Sequence, residues 1–404
     1  MTIRWGNLAI TAALSVGITM GASAQEAVKI GVLAGVTGPL ASFVPPMLDS
    51  VNLAVDQVNA NGGLLDGRSM EIVIADTQAA AQPAVDAANK LVGVENVAAI
   101  WGALSSGATL AAATSVAMPN KVVMLSPTAT SPEMTTLDDD GYIFRVVASD
   151  DYQGKVLAKI VQEEGLSKVA VTYVNNDYGV GIARTFIEAF KAAGGEITGE
   201  QKHEEKSASY RSELATLANG EPEALVVIAY AAGSGITIVR QSLENGLFER
   251  FVGTDGLRDN KLIEELGEEN LGTTFFSSPT SPPGTTALQT FQEAYAAAYD
   301  TTDDKIFIEQ SYDAAFLLAL AIEQAGSADR TAIRDALSAV ASPPGEVIEP
   351  GEWAKAKELI AAGTEINYEG VGGSLDFDDV GDVTGYFGKF VVEDGSYKEV
   401  DVYQ

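Results

Sequence analysis

Apolar and polar positions along this chain switch repeatedly between a strand-like and a helix-like period. Residues 28–33 form a short apolar run of strand type. Residues 46–59 carry Leu48, Val51, Leu53, Ala54, Val55 and Val58 at helical spacing. Asn61, Gly62 and Gly63 then stop the helix, as glycine does at helix ends. Residues 70–75 predict a second strand and 80–92 a second helix. Two more apolar runs, 97–100 and 122–125, read as buried parallel strands, with a helix-like run over 109–115 between them. This βαβαβ order predicts a parallel sheet covered on both faces.

The pattern restarts at 169–174. A helix over 181–193, a strand-like segment at 196–200, a helix over 209–217 and a strand at 224–229 follow. Then come a helix over 235–245 and short strands at 251–253 and 271–276. Helices are predicted over 286–299, 309–325 and 331–339. Pro343, Pro344, Gly345, Pro350 and Gly351 mark an irregular stretch. Residues 385–392 and 397–402 predict a hairpin, with Glu393, Asp394 and Gly395 at its turn. The chain thus predicts two α/β lobes of similar build, arranged as a hinged clamp on a ligand.

Two segments concentrate the chemistry. Residues 101–109 and 125–130 each place small hydroxyls and open backbone N–H groups where a strand ends. In open α/β sheets that edge is where small ligands sit. A helix start there favours an anion.

Composition narrows the setting. Residues 1–24 read as a cleavable secretory signal: Arg4 supplies the positive start, 8–20 are mostly apolar, and Ala22, Ser23 and Ala24 form a small-residue cleavage site. A mature chain starting near Gln25 is expected. The chain has no cysteine, which excludes disulfides, thiolate catalysis and Cys-ligated metals. Export without cysteine points to a bacterial periplasm. The formal net charge of -31 repels nucleic acid and anionic membrane.

Enzyme signatures are missing. There is no Gly-x-Ser-x-Gly elbow, no Walker loop and no Gly-x-Gly-x-x-Gly after a strand. His203 is the only histidine, and its charged surroundings predict a solvated loop residue rather than a catalytic base. Asp138, Asp139 and Asp140 read as a solvated turn rather than a cation site. No enzyme activity, no catalytic residue, no metal and no cofactor are expected.

Several motifs in order carry a resemblance. They are Thr37, Gly38 and Pro39; residues 59–63; Asp76; residues 101–109; residues 126–132; Asn176, Asp177, Tyr178 and Gly179; residues 253–256; and 373–378 with Gly381 and Asp382. Together they resemble the branched-chain amino acid binding proteins of ABC transporters, over nearly the whole chain beyond residue 25. The resemblance implies an α/β, type I periplasmic binding protein-like fold: two doubly wound parallel-sheet lobes joined by three crossovers. Lobe 1 would span 26–147 and 279–375, and lobe 2 would span 148–278 and 376–404. It further implies a monomer that captures an amino acid in the periplasm and delivers it to a membrane permease.

The resemblance also assigns roles by position. An α-carboxylate needs N–H and O–H donors. Ser106 and Thr130 match the family's hydroxyl donors, and Thr128 matches a backbone contact. Capping its own helix is the other role open to Ser106, and a turn hydroxyl the other role for Thr130. An α-ammonium needs a negative acceptor, and Asp255 matches the family's acid, which is usually Glu. Tyr178 matches a ligand-facing aromatic, with interlobe packing as its alternative. Phe43 stands where the family often has Tyr, which removes a hydroxyl. A further aromatic position falls on Tyr230, with Ala231 or Ala232 as alternatives. Trp101 either lines the mouth or packs the strand end. These departures leave a non-amino-acid carboxylate, such as an aromatic acid, as an alternative ligand. A sensor ligand domain and an exported hydrolase are the other readings.

Overall fold

The apolar run that opens the pattern forms β1 (Val28–Ala34), buried at all positions but Lys29 because it lies inside a sheet. The computed structural model describes Thr2, residues 26–301 and residues 305–404; the expected signal segment lies outside the described residues. After β1 come α1 (Val44–Ala60), β2 (Met70–Asp76), α2 (Ala81–Gly93), β3 (Ala99–Gly102), α3 (Ser106–Ala112), β4 (Met124–Ser126) and β5 (Ile143–Arg145). These strands make a parallel sheet in the order β2-β1-β3-β4-β5. Both β3 and β4 begin two residues later than their apolar runs. The ladder forms only where neighbouring backbone is available, and apolarity marks burial more widely than pairing.

The second half runs through α4 (Asp150–Glu163), β6 (Lys168–Val174), α5 (Asp177–Ala192), β7 (Glu196–His203), α6 (Arg211–Leu217), β8 (Ala224–Ile228), α7 (Ile236–Glu244), β9 (Phe251–Thr254), α8 (Asn260–Leu266) and β10 (Phe275–Thr280). Helix α4 has no counterpart in the predicted elements. Its charged first turn hides an apolar face of Val156, Leu157, Ile160 and Val161. Ser149 caps it through a bond from Asp151 N–H.

Three helices then return to the first sheet: α9 (Thr286–Tyr299), α10 (Ile308–Ala325) and α11 (Arg330–Ala341). Helix α10 is buried on nearly every face, so its sequence is apolar all round rather than amphipathic. The stretch read as irregular holds the short β11 (Glu346–Ile348), and beyond it, where no element was predicted, come α12 (Trp353–Ala361), β12 (Ile366–Gly370) and β13 (Gly373–Ser374). The strands form a small sheet, and the fully buried Trp353 anchors it with an edge contact to Phe316. Isolated short strands carry no period long enough to read.

The predicted hairpin is present as β14 (Tyr386–Glu393) and β15 (Ser396–Tyr403). It completes a second sheet, β15-β14-β10-β9-β8-β6-β7, antiparallel only at the hairpin. The α/β fold therefore consists of two parallel-sheet lobes, and the chain passes between them after β5, β10 and β13. In each sheet the strand order reverses: β1 is flanked by β2 and β3, and β6 by β7 and β8. Such reversals open a crevice beyond the carboxyl ends of the strands.

His203 departs from expectation. It closes β7 and is buried, with Nδ1 2.8 Å from Thr172 Oγ1 and Nε2 2.8 Å from Ser234 Oγ. Burial pushes its pKa down to about 4. The charged neighbours that suggested a solvated loop point the other way, on alternate faces of the strand. Asp139 is a turn residue that accepts from Gly141 and Ile143 N–H. Among the described residues no cluster of three or more potential ligands could hold a metal ion, and no helix is long and apolar enough to cross a membrane.

Candidate functional site

The ends of both sheets meet at a narrow cleft enclosing about 30 Å³. From the first lobe come Leu40, Phe43, Met47, Leu104, Ser106 and Thr128, with Phe307 from the start of α10. From the second come Tyr178, Tyr230, Asp255 and Gly256. Six sequence-predicted residues, Phe43, Ser106, Thr128, Tyr178, Tyr230 and Asp255, are therefore gathered in one place. Thr130 and Trp101 are not part of this lining.

On the first lobe, β3 delivers Ser106 as the first residue of α3. The cap position belongs to Ser105, and neither hydroxyl caps the helix. Ser106 Oγ instead accepts from Ser131 N–H at 3.2 Å. Thr128 donates its hydroxyl to Leu104 O at 2.6 Å. Thr130 is buried directly behind this wall, and its carbonyl accepts from Asp150 N–H at 2.8 Å. The loop is held by Arg145, which is fully buried. It donates to the carbonyls of Thr130 and Ser131 at 2.9 and 3.0 Å, and its other nitrogens grip the Asp382 carboxylate. Such a bidentate pair fixes geometry as well as charge. Trp101 fills the core beneath, with its indole N–H on Ser311 O at 3.1 Å. Of its two open roles, lining the mouth or packing the strand end, the structure shows the second.

On the second lobe, β9 ends in a tight turn that presents Asp255. Its Oδ1 accepts from Tyr178 OH at 3.0 Å and from Gln153 Nε2 at 2.8 Å. The Tyr178 hydroxyl in turn accepts from Gly256 N–H at 3.2 Å and lies 2.7 Å from Thr254 Oγ1. The Tyr178 ring stacks on Tyr230 at 5.2 Å between centroids and 11° between planes. Tyr230 faces the cleft, whereas Ala231 and Ala232 do not line it. Burial drives the Asp255 carboxyl up to about 6, against the two hydrogen bonds that favour its charged form. Gly256 is tightly packed: a Cβ there would stand 3.0 Å from Ala229 O and 3.1 Å from Tyr178 OH, so these neighbours would have to give way.

The sequence pointed to Phe43 but not to the rest of the apolar wall, nor to Gln153. Leu40 and Met47 flank Phe43 at helical spacing, a signal that was readable. Phe307 and Gln153 had no local signal, since packing at the start of α10 brings Phe307 to the cleft and α4 brings Gln153 to Asp255. Across the cleft mouth the Ser42 hydroxyl donates to the Asp259 carboxylate, a contact between lobes. The arrangement opposes the Ser106 hydroxyl, which accepts one bond and can donate another, on one lobe to a buried carboxylate on the other, with an apolar wall between.

This chain belongs to the periplasmic binding protein family, whose model matches residues 27–378. It is similar to the leucine-, isoleucine-, valine-, threonine- and alanine-binding protein of Pseudomonas aeruginosa, 28% identical over 78% of this chain and 83% of that one. Among solved structures it resembles the branched-chain amino acid transporter substrate-binding protein of Streptococcus pneumoniae in complex with isoleucine. That match has a TM-score of 0.77 at 26% identity and covers 93% of this chain and 99% of the other. A solute-binding protein of R. palustris in complex with benzoate shares the fold, with a TM-score of 0.76 at 19% identity over 93% and 96% of the two chains. The Pseudomonas relative is thus named for the amino acids it binds, the Streptococcus structure as a transporter substrate-binding protein, and the R. palustris structure as a solute-binding protein.

Proposed function

We propose that this protein captures an α-amino acid with an apolar side chain between its lobes, in the periplasm, and delivers it to the membrane permease of an ABC transporter. It does so as a monomer and without chemistry. The observation that carries this reading is the opposition of Asp255 to Ser106 and Thr128 across one small cleft. An ammonium has a buried anionic acceptor on one side, and a carboxylate has the Ser106 hydroxyl as a donor on the other. Phe43, Leu40, Met47, Leu104 and Phe307 give the side chain an apolar seat. Thr130 contributes from behind the wall by steering the loop. We take lobe 1 as 26–147 with 279–375 and lobe 2 as 148–278 with 376–404, after removal of a signal at 1–24. The lobes close like a hinged clamp.

Calorimetric titration of the exported protein with L-leucine, L-isoleucine, L-valine, 4-methylpentanoate and benzoate tests the reading. Saturable binding of at least one amino acid, tighter than of its deaminated analogue, is expected. Binding of benzoate alone, or of none of them, overturns it. N-terminal sequencing of the exported chain should begin near Gln25.

A further inference from the structure

The Ser106 hydroxyl is held by a peptide group that is itself gripped from the passages between the lobes. The chain first leaves the first lobe at the end of β5, and Arg145 is the last residue of that strand. Asp382 lies on the third passage, between β13 and β14. The Arg145 backbone N–H donates to Gly381 O at 3.1 Å, so the third passage runs against the first. Gly381 permits this approach: its φ is +74°, and a Cβ on it would stand 2.6 Å from Ile143 O.

Every nitrogen of the buried Arg145 guanidinium is committed. Nε and Nη2 donate to Asp382 Oδ1 and Oδ2 at 2.6 and 2.5 Å. Nη2 also donates to Thr135 Oγ1 at 2.7 Å, and that hydroxyl donates on to Asp382 Oδ2 at 2.7 Å. Nη1 serves Thr130 O at 2.9 Å and Ser131 O at 3.0 Å. The Thr130 carbonyl and the Ser131 N–H belong to one planar peptide group and point to opposite sides of it. The guanidinium takes the carbonyl side, and on the other side the N–H ends on Ser106 Oγ at 3.2 Å. A cation on the carbonyl fixes the plane and strengthens the N–H as a donor. That N–H fills one lone pair of Ser106 Oγ, so the hydroxyl hydrogen is left for an acceptor in the cleft that Ser106 lines.

We propose that Arg145 and Asp382 are positioning residues for the carboxylate end of the ligand: from the passages between the lobes, and through the Thr130–Ser131 peptide, they aim the Ser106 hydroxyl into the cleft. This rests on the amino-acid reading above and deepens it. Neither residue lines the cleft, so both act only through Ser106. The carboxylate donor is thereby built into the same structure that sets the course of the first and third passages. The ammonium end is served separately, since Asp255 is held from the second lobe by Tyr178 and Gln153. Lysine at 145 would not substitute, because a point charge cannot fork to a carboxylate and to two carbonyls at once.

The test is a double-mutant cycle on the full exported protein, with L-leucine as the probe and Kd from calorimetry, by displacement where binding is weak. Asp382→Asn keeps the shape and removes the charge that holds the guanidinium. It should weaken binding about tenfold in wild type but less than about twofold in a Ser106→Ala background, because coupled residues lose their separate effects. In a Tyr178→Phe background, on the ammonium side, its cost should stay about tenfold, as for independent sites. Thr135→Val removes only the bridging hydroxyl and should cost about threefold, again only where Ser106 is present. An equal cost of Asp382→Asn with and without the Ser106 hydroxyl marks a merely structural role and overturns the proposal. So does Asp382→Asn or Ser106→Ala binding like wild type. If Asp382→Asn does not fold by circular dichroism, Thr135→Val decides, and a cost that is nil or equal in both backgrounds overturns the proposal. If only benzoate or 4-methylpentanoate binds the wild type, the amino-acid reading has failed, and the same cycle run with that acid decides the positioning role. If none of these ligands binds, both fall.

Discussion

The Tyr178 hydroxyl donates to Asp255 Oδ1 across 3.0 Å while accepting from Gly256 N–H, so one phenol joins α5 to the turn after β9. The acid is held at a fixed angle to the cleft rather than left to rotate.

Replacing Asp255 by Asn keeps the shape and removes the charge. L-Leucine affinity should fall by about 2–4 kcal/mol, roughly 30- to 700-fold, because its ammonium loses a desolvated partner. Affinity for 4-methylpentanoate should fall far less. Equal losses for the two ligands, measured by calorimetry, would show that Asp255 does not serve the ammonium.

Tyr178→Phe removes one hydroxyl and leaves the stack on Tyr230. A hydrogen bond to a charged group contributes about 1.5–3 kcal/mol. Part of that returns when Asp255 protonates, so a loss of about tenfold in L-leucine affinity is expected near pH 7. The deficit should widen below pH 7, since the carboxyl is then more readily protonated. An affinity unchanged across pH 5.5–7.5 contradicts this role.

Gly181 tests closure without touching the ligand. It sits in α5, and a Cβ built on it would stand 2.8 Å from Pro132 Cδ on the other lobe. Ala is favoured over Gly in a helix by roughly 1 kcal/mol. Gly181→Ala should therefore keep or raise the melting temperature of the ligand-free protein while weakening L-leucine binding. Parallel loss of both would mean the glycine serves folding instead.

His203 gives a stability signature. Its folded pKa of about 4 lies below the unfolded value near 6.5, so the unfolded chain binds more protons between those values. This histidine should thus make stability rise with pH from about 4 to 6.5, by up to about 3 kcal/mol. Asp255 acts in the opposite sense: its folded pKa of about 6 exceeds the unfolded value, so its contribution falls as pH rises from about 4 to 6. As the only histidine, His203 gives an isolated imidazole NMR signal. A midpoint near 6.5 in the native protein would refute the buried assignment.

Much of this was legible along the chain. The alternation of strand and helix periods specified two α/β halves, because parallel strands covered on both faces must be apolar throughout. Strand ends marked Ser106, Thr128 and Asp255, since glycine- and hydroxyl-rich turns follow buried strands there. What local pattern could not supply was which side chain faces which. His203 and its charged neighbours differ only in strand face, and Trp101 is core although it abuts the site. Gln153 lies in a helix with no counterpart in the predicted elements, and only packing brings it to Asp255 as a donor. The sequence by itself determined the periods, the lobes and the chemical character of the strand ends. Only the tertiary structure decided that Asp255, Tyr178 and Tyr230 face Ser106 and Thr128 across one cleft, because residues from opposite lobes meet only when both sheets are built and brought together.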